Sequence, residues 1–525
     1  MSPPDSPTIG VSMARRWRAS ALPSALLVAP RVALMTAVLA GVLLLPGAGH
    51  AGTPGVDEPP PAQAPRPLVL PALHQSTLAS GLSLVVAPRP GLPVVTVSLL
   101  VRAGPEADPA GRPGVAAMTA TLRPKGALRA GKPVPAAELA RLAEALGGGL
   151  DSNSSWGAST LSMTVSSPRL GEAAALLADV LRHPLLAADE LERARAQALD
   201  GLRVTLGNPA DVAALALRRS FWGNGPYGQS ALPPALQRLT RADVQAFQAK
   251  WVRPELVALV LVGDITPEQG QALAQQLFGD WRAPAQPVPV LAPAAPAPIA
   301  APLVLIDMPG SGQSGVAVAA PYLGSAPADR PQRYAALVAN AVLGGGYSAR
   351  LSQEVRIKRG LSYDATGSAE SHPSGGMFSA RAQTNHPTAA EVLALLRTEI
   401  TRLADAPPAA DELAARQATL VGSFARRLET TAGLSAVLVG QLAQGRPLAE
   451  LAAYSPGLLA VTPAQVQAFA RQHWQASGLR AVIAGDLAAG GASLAALAAQ
   501  PGQVLRLPVA ELDLEQDGLR KPAAR

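Results

Sequence analysis

No cysteine occurs in the 525 residues. That excludes disulfides, thiolate metal sites, iron–sulfur clusters and cysteine nucleophiles together. Histidine is scarce: His50, His74, His183, His372, His386 and His473 are the full set, and no two lie within four positions. A helix-borne metal pair at i, i+4 therefore cannot form. Isolated histidines of this kind are expected at the surface or at helix ends. Aromatic residues make up only 3%, and the basic residues are scattered instead of forming a stripe. Nucleic acid is thus excluded as the expected partner despite a net charge of +7. What is present is apolar mass, 48% of residues, in a chain long enough for two to four domains. Wholesale disorder is excluded on that ground.

Arg15, Arg16 and Arg18 precede an apolar stretch from Val32 to Leu45, and small residues lead to Gly49-His50-Ala51. This is the layout of a secretory signal peptide over residues 1–51, followed by a Pro-rich leader over 52–66. The apolar core is short for a membrane span, so cleavage is the reading and a retained anchor its alternative. Arg15-Arg16 leaves the folded-protein export route open as well. Cleavage after Ala51 removes four Arg and one Asp and lowers the net charge from +7 to +4. No second long apolar run follows, so the remainder is expected to be soluble, exported and periplasmic.

The chain repeats itself at an offset of 222 residues. Ala187-Ala188-Asp189-Glu190-Leu191 recurs as Ala409-Ala410-Asp411-Glu412-Leu413, and Thr240, Val244, Phe247 and Gly263-Asp264 recur as Thr462, Val466, Phe469 and Gly485-Asp486. Each block reads as a Thr-capped amphipathic helix, a turn, a strand (Leu256 to Val262, Leu479 to Ala484) and a Gly-Asp stop. A period this long marks two homologous halves. Seven Pro between Ala283 and Pro302 make a semi-rigid linker. The halves then span residues 67–282 and 303–510, with a polar tail over 511–525. A hairpin of Leu82–Ala87 with Val94–Val101 should open the first half. Helices follow near Pro135–Leu146, Leu170–Arg182 and Asp189–Val204. The order implies an α+β fold, two α/β-sandwich halves with helices packed on one side of a mostly antiparallel sheet.

Gly310-Ser311-Gly312-Gln313-Ser314-Gly315 matches G-x-G-x-x-G, but an alternating, strand-like run follows where a dinucleotide site needs a helix. It reads as a Gly-rich turn. No G-x-S-x-G elbow occurs. The informative stretch is Leu343 to Gly367. Three glycines, Gly344, Gly345 and Gly346, free the backbone; Ser348 is placed to cap the next helix; Gly360 is placed to end it; and Leu361 to Gly367 reads as a strand. By composition alone this is a helix–Gly–strand connection with a solvated basic face.

This stretch, LGGGYSARLSQEVRIKRGLSYDATG, resembles the C-terminal-half motif of the pitrilysin/insulinase family of zinc peptidases, a Gly-rich loop followed by R-x(6)-Y. The duplication, Gly225-Pro226-Tyr227-Gly228 and both strand–Gly-Asp endings are similar too. The resemblance implies a clam-shell of two halves. It also exposes a departure. Active members carry G-x-x-H-x-x-E-H on the first helix of the N-terminal half, where this chain reads Gly114-Val115-Ala116-Ala117-Met118-Thr119-Ala120-Thr121. Ala117 and Thr121 stand at the ligand positions and Ala120 at the general-base position. The window for the third ligand, Ala194 to Leu202, offers only Asp200. Activated-water hydrolysis has no machinery here, no cofactor is expected in this chain, and no peptidase activity is expected from it alone.

Other members of the family pair a zinc-bearing chain with a zinc-less one. By that resemblance this chain is the zinc-less subunit of a heterodimer, with zinc in the partner. Arg356 and Tyr363 would donate to the oxyanion of the peptide substrate, and Gly344, Gly345 and Gly346 would bind its backbone. The alternative is a catalytically dead structural or peptide-binding paralogue.

Overall fold

The computed structural model describes residues 69–291, 295–499 and 502–522; the expected signal peptide and leader lie outside the described residues. The first half contributes β1 (His74–Thr77), β2 (Ser83–Pro88), β3 (Val94–Val101), a small β4–β5 ribbon (Gly126–Arg129, Lys132–Pro135), β6 (Asp151–Ser155), β7 (Ala158–Ser166) and β8 (Val257–Gly263). The second contributes β9 (Leu303–Asp307), β10 (Ser314–Tyr322), β11 (Ser362–His372), β12 (Gly375–Thr384), β13 (Arg480–Gly485) and β14 (Val504–Pro508). They form two six-stranded sheets, ordered β1-β2-β8-β3-β7-β6 and β11-β12-β10-β13-β9-β14. Five of the six positions correspond between the sheets, as the 222-residue repeat implies. The sixth differs: β1 runs antiparallel to β2, whereas β14, from the far C-terminus, runs parallel to β9.

The expected opening hairpin does not form. Its two strands exist, but β8 slots between them, parallel to β2 and antiparallel to β3. The reason is visible in β8 itself, VALVLVG, in which every residue is buried. So uniformly apolar a strand needs a central place with both faces covered. The helices match more closely. Ala136–Ala145, Leu170–Arg182 and Ala188–Gly207 form where expected. Thr240 and Thr462 each close a capping box, with Asp243 and Gln465 as the reciprocal partners.

A layer of helices covers one face of each sheet, as expected, but the other face is covered too, by a helix from the opposite half. Helix Pro209–Trp222 packs on β10 and β13, where Val212, Ala216 and Phe221 meet Val304, Ala317 and Val482. Helix Thr431–Ala443 packs on β3 and β8, where Leu434 and Leu438 meet Leu100 and Val260. Asn208 caps the first, accepting from the Ala210 amide at 2.8 Å; Thr430 caps the second, accepting from Gly433 at 3.0 Å. Buried polar contacts follow the exchange, Ser98 with Ser435 and Thr96 with Thr431, both at 2.8 Å. The halves are thus interlocked through two separate cores.

The Pro-rich linker is stapled to the first half: the buried Arg253 guanidinium donates to the carbonyls of Pro284, Gln286 and Pro287. The tail is less polar in its role than in its composition. Leu514 and Leu519 are buried in the core that holds Trp222.

Candidate functional site

The helix at the zinc-motif position, Val115–Leu122, starts where Asp108 accepts from the amides of Gly114 and Ala116, both at 2.7 Å. Burial raises the Asp108 carboxyl to about 6 in spite of those bonds. Asp108→Ala should cost about 1–2 kcal/mol, read as a lower urea midpoint at unchanged slope. On this helix Ala117 and Thr121 share an exposed face one turn apart, and Thr121 Oγ1 donates back to the Ala117 carbonyl at 3.0 Å. Ala120 is buried, and its carbonyl accepts from Ser152 Oγ of β6 at 2.6 Å. Asp200 is exposed on helix Ala188–Gly207 and pairs with Arg203 at 2.6 Å. Two methyl groups and a hydroxyl on this helix do not fit a zinc ion.

The Gly-rich loop follows helix Arg333–Gly344. Gly344 lies against β11; a Cβ there would stand 2.2 Å from the Gly367 Cα. Gly346 takes φ +116°, which leaves Gly345 and Gly346 exposed at the tip. Ser348 does not cap the next helix as expected: its hydroxyl accepts from Arg416 at 2.6 Å. The helix begins on backbone bonds instead, Ala349 to Gly346 and Gln353 to Ala349. Over Ser352–Ile357 it widens to a π-type turn, and the Lys358 amide reaches the Gln353 carbonyl, five residues back. Gly360, at φ +63°, ends it as expected, bonded to Arg356.

This turn brings Arg356 and Tyr363 together. The Arg356 guanidinium carbon lies 4.8 Å from the Tyr363 ring centroid and 5.1 Å from that of Tyr347. Both rings are largely open to solvent, Tyr363 at 85% and Tyr347 at 63%. The nearby carboxylate, Glu354, is taken by Lys358 and Arg359 at 2.5 and 2.6 Å. Among the described residues, the Arg356 guanidinium, held between aromatic faces, has no hydrogen-bond or ion-pair partner for its N–H groups. Tyr347 is the member that sequence reasoning misses, because nothing in the loop's spacing predicts that its ring meets Arg356.

A second polar cluster joins the halves. Tyr227, of the Gly225–Gly228 segment, stacks on His372 at 3.8 Å and donates to Glu106 at 2.9 Å. Trp156 and Trp222 stand edge-on to His372. Arg218 forks onto Glu370 at 2.7 and 2.8 Å, Trp222 Nε1 donates to it at 3.2 Å, and Arg218 lies over Trp156. His372 is 4% exposed, not a surface histidine as its isolation in sequence suggests. His386 is also engaged, between Ser314 Oγ and the Ser311 carbonyl.

Burial opposes the charge on Glu370, but His372 and Arg218 outweigh it and hold the carboxyl at about 2, from an ordinary 4.5. A depressed carboxyl contributes stability that is complete above its unfolded value and is lost as pH falls from 4.5 toward 2. Glu370→Gln should therefore cost on the order of 3 kcal/mol at pH 7 and flatten the stability–pH curve in that window. Urea unfolding at several pH values measures both.

Two six-stranded sheets with exchanged helices thus carry a helix on which Ala117, Ala120 and Thr121 stand in place of the zinc-motif residues. The model for insulinase (peptidase family M16) matches residues 84–235, and the model for the peptidase M16 inactive domain matches residues 238–420. The chain belongs to this pitrilysin/insulinase family, as a member lacking the catalytic motif. An uncharacterized zinc protease of Mycobacterium tuberculosis is 27% identical over 249 residues, 46% of this chain and 56% of the relative. One of Streptomyces coelicolor is 26% identical over 265 residues, 49% of this chain and 57% of the relative. The chain thus spans little more than half the length of these relatives. A solved peptidase M16 inactive domain from Pseudomonas fluorescens is 27% identical at a TM-score of 0.72, covering 79% of this chain and 98% of that one. No helix among the described residues is long and apolar enough to cross a membrane.

Proposed function

We propose that this chain is the exported, zinc-less subunit of a heteromeric M16-type metallopeptidase, working in the periplasm beside a zinc-bearing partner that carries H-x-x-E-H. The observation that carries the reading is the Arg356 guanidinium, without a carboxylate partner among the described residues, held between Tyr347 and Tyr363 beside an exposed glycine loop. A pair whose role was local stability would be neutralised or buried. Donors fixed in advance of reaction and open to a second molecule suit a developing oxyanion. The partner would supply zinc and its activated water. This chain would supply the Arg356 and Tyr363 donors and the backbone of the Gly344, Gly345 and Gly346 loop to hold the peptide.

The test is peptidase activity on mixing the purified chain with an M16-family H-x-x-E-H protein from the same genome. Activity in the mixture and in neither chain alone supports the reading. A stable but silent mixture, or a partner fully active by itself, replaces it with the peptide-binding paralogue.

A further inference from the structure

The cavity between the lobes is a separate feature from the loop. Tyr363 and His372 sit at opposite ends of β11, about 30 Å apart along an extended strand. The cavity encloses about 560 Å³, within the range of sites that take small molecules or short peptides. One wall is the face of helix Arg333–Gly344 that carries Arg333, Ala336 and Asn340; another is the face of helix Thr431–Ala443 that carries Val437 and Gln441. Trp156 of the first half and Glu370 and His372 of the second close it toward the interlobe cluster.

Its other end is cationic. Arg330, Arg333, Arg427 and Arg446 line it, together with the carboxylate of Asp329. Glu450 is shared by Arg330 at 3.2 Å and Arg333 at 3.3 Å. Among the described residues, Arg427 and Arg446 have no carboxylate within ion-pair distance. Burial, reinforced by the neighbouring Arg333 and offset in part by Glu450, brings Arg446 down to about 10. Two amide side chains in the same walls are incomplete. Gln441, 6% exposed, has no acceptor for Nε2, and Asn340 has no donor for Oδ1. A buried orphan group of this kind costs about 1–3 kcal/mol.

A peptide carries the complement to this set: a planar carboxylate for a guanidinium fork and Gln441, and a backbone N–H for Asn340. Inorganic phosphate matches the cations too, but its tetrahedral oxygens do not reproduce the spacing between a planar carboxylate and the N–H of the same chain. We propose that the Arg446 end of this cavity binds a carboxylate of a peptide chain. This goes beyond the shared-site reading, because binding here needs neither the partner nor Arg356.

The experiment is fluorescence anisotropy with the full chain and three labelled octapeptides of one Ala/Ser/Val sequence. One has a free C-terminus, one is amidated, and one is amidated with an internal Glu. The free acid should bind, and amidation should weaken it roughly 10- to 100-fold. Arg446→Gln should bring the acid down to the affinity of the amide and leave the amide unchanged. Exposed Arg427→Gln should weaken the acid in the same direction and carries the test if Arg446→Gln fails to fold. Rescue of the amide by Glu identifies an acidic side chain as the ligand; no rescue identifies the chain end. Equal binding of acid and amide, no binding of either, or a ratio untouched by these substitutions overturns the proposal. Binding alongside a silent subunit mixture would retain this site and discard the shared active site, and the converse result would do the reverse.

Discussion

In an active mixture with the zinc-bearing partner, Arg356→Ala is expected to lower kcat about 10²- to 10³-fold while changing KM little. The substitution removes a charged donor that acts only once the carbonyl oxygen gains negative charge, so ground-state binding has little to lose. Tyr363→Phe removes one hydroxyl donor and keeps the ring that flanks Arg356; a smaller drop, about 10- to 100-fold, is expected. Arg356→Lys keeps the charge but loses the planar fork and should fall between wild type and alanine. Stability should hardly move in any of the three, since the two rings are open to solvent and Arg356 makes no ion pair among the described residues. Tyr347→Phe tests the remaining wall: the aromatic face persists, so activity should be near that of the wild type. A kcat unchanged by Arg356→Ala in a working mixture would remove the pair from the mechanism.

Gly315→Ala is expected to destabilise the protein by about 3 kcal/mol or more. A Cβ at this position of β10 would stand 2.3 Å from Ala210 Cα, 2.5 Å from Ala210 N and 2.5 Å from the Pro209 carbonyl oxygen. All three are backbone atoms at the start of the exchanged helix Pro209–Trp222, so no side chain can rotate out of the way. The helix must lift from the second sheet and open the core built around Val212, Phe221 and Trp222. Gly312, three residues earlier in the same glycine run, has open space around its Cα. Gly312→Ala should be neutral or slightly stabilising, because it only narrows the unfolded ensemble. Urea midpoints of the two variants decide the matter, and equal values would show that the exchanged helix does not depend on close approach at Gly315.

The glycine run also shows how a motif can match in letters and differ in physics. G-x-G-x-x-G runs into a strand here, β10 from Ser314 to Tyr322, as the alternating residues indicate. That Gly315 serves contact between the halves is invisible in the sequence, because the atoms it accommodates lie about a hundred residues away. His372 shows the same limit. In sequence it is an isolated histidine; in the fold Tyr227 stacks on it and Glu370 lies 3.4 Å away.

The sequence by itself determined what is local or counted along the chain. It set the two-half repeat, the Thr240 and Thr462 capping boxes, the Gly360 helix end, the loss of donors at Ala117, Ala120 and Thr121, and the spacing of Arg356 and Tyr363. Apart from the repeat, which is counted along the chain, these depend on residues within one or two helical turns, where propensity and period act directly. Tertiary structure alone decided that β8 would enter between β2 and β3, that each half would lend a helix to the other, that Tyr347 would meet Arg356, and that Arg446 would have no ion pair among the described residues. Those outcomes depend on which apolar faces cover each other, and a uniformly apolar strand or helix carries no mark of the partner that will bury it.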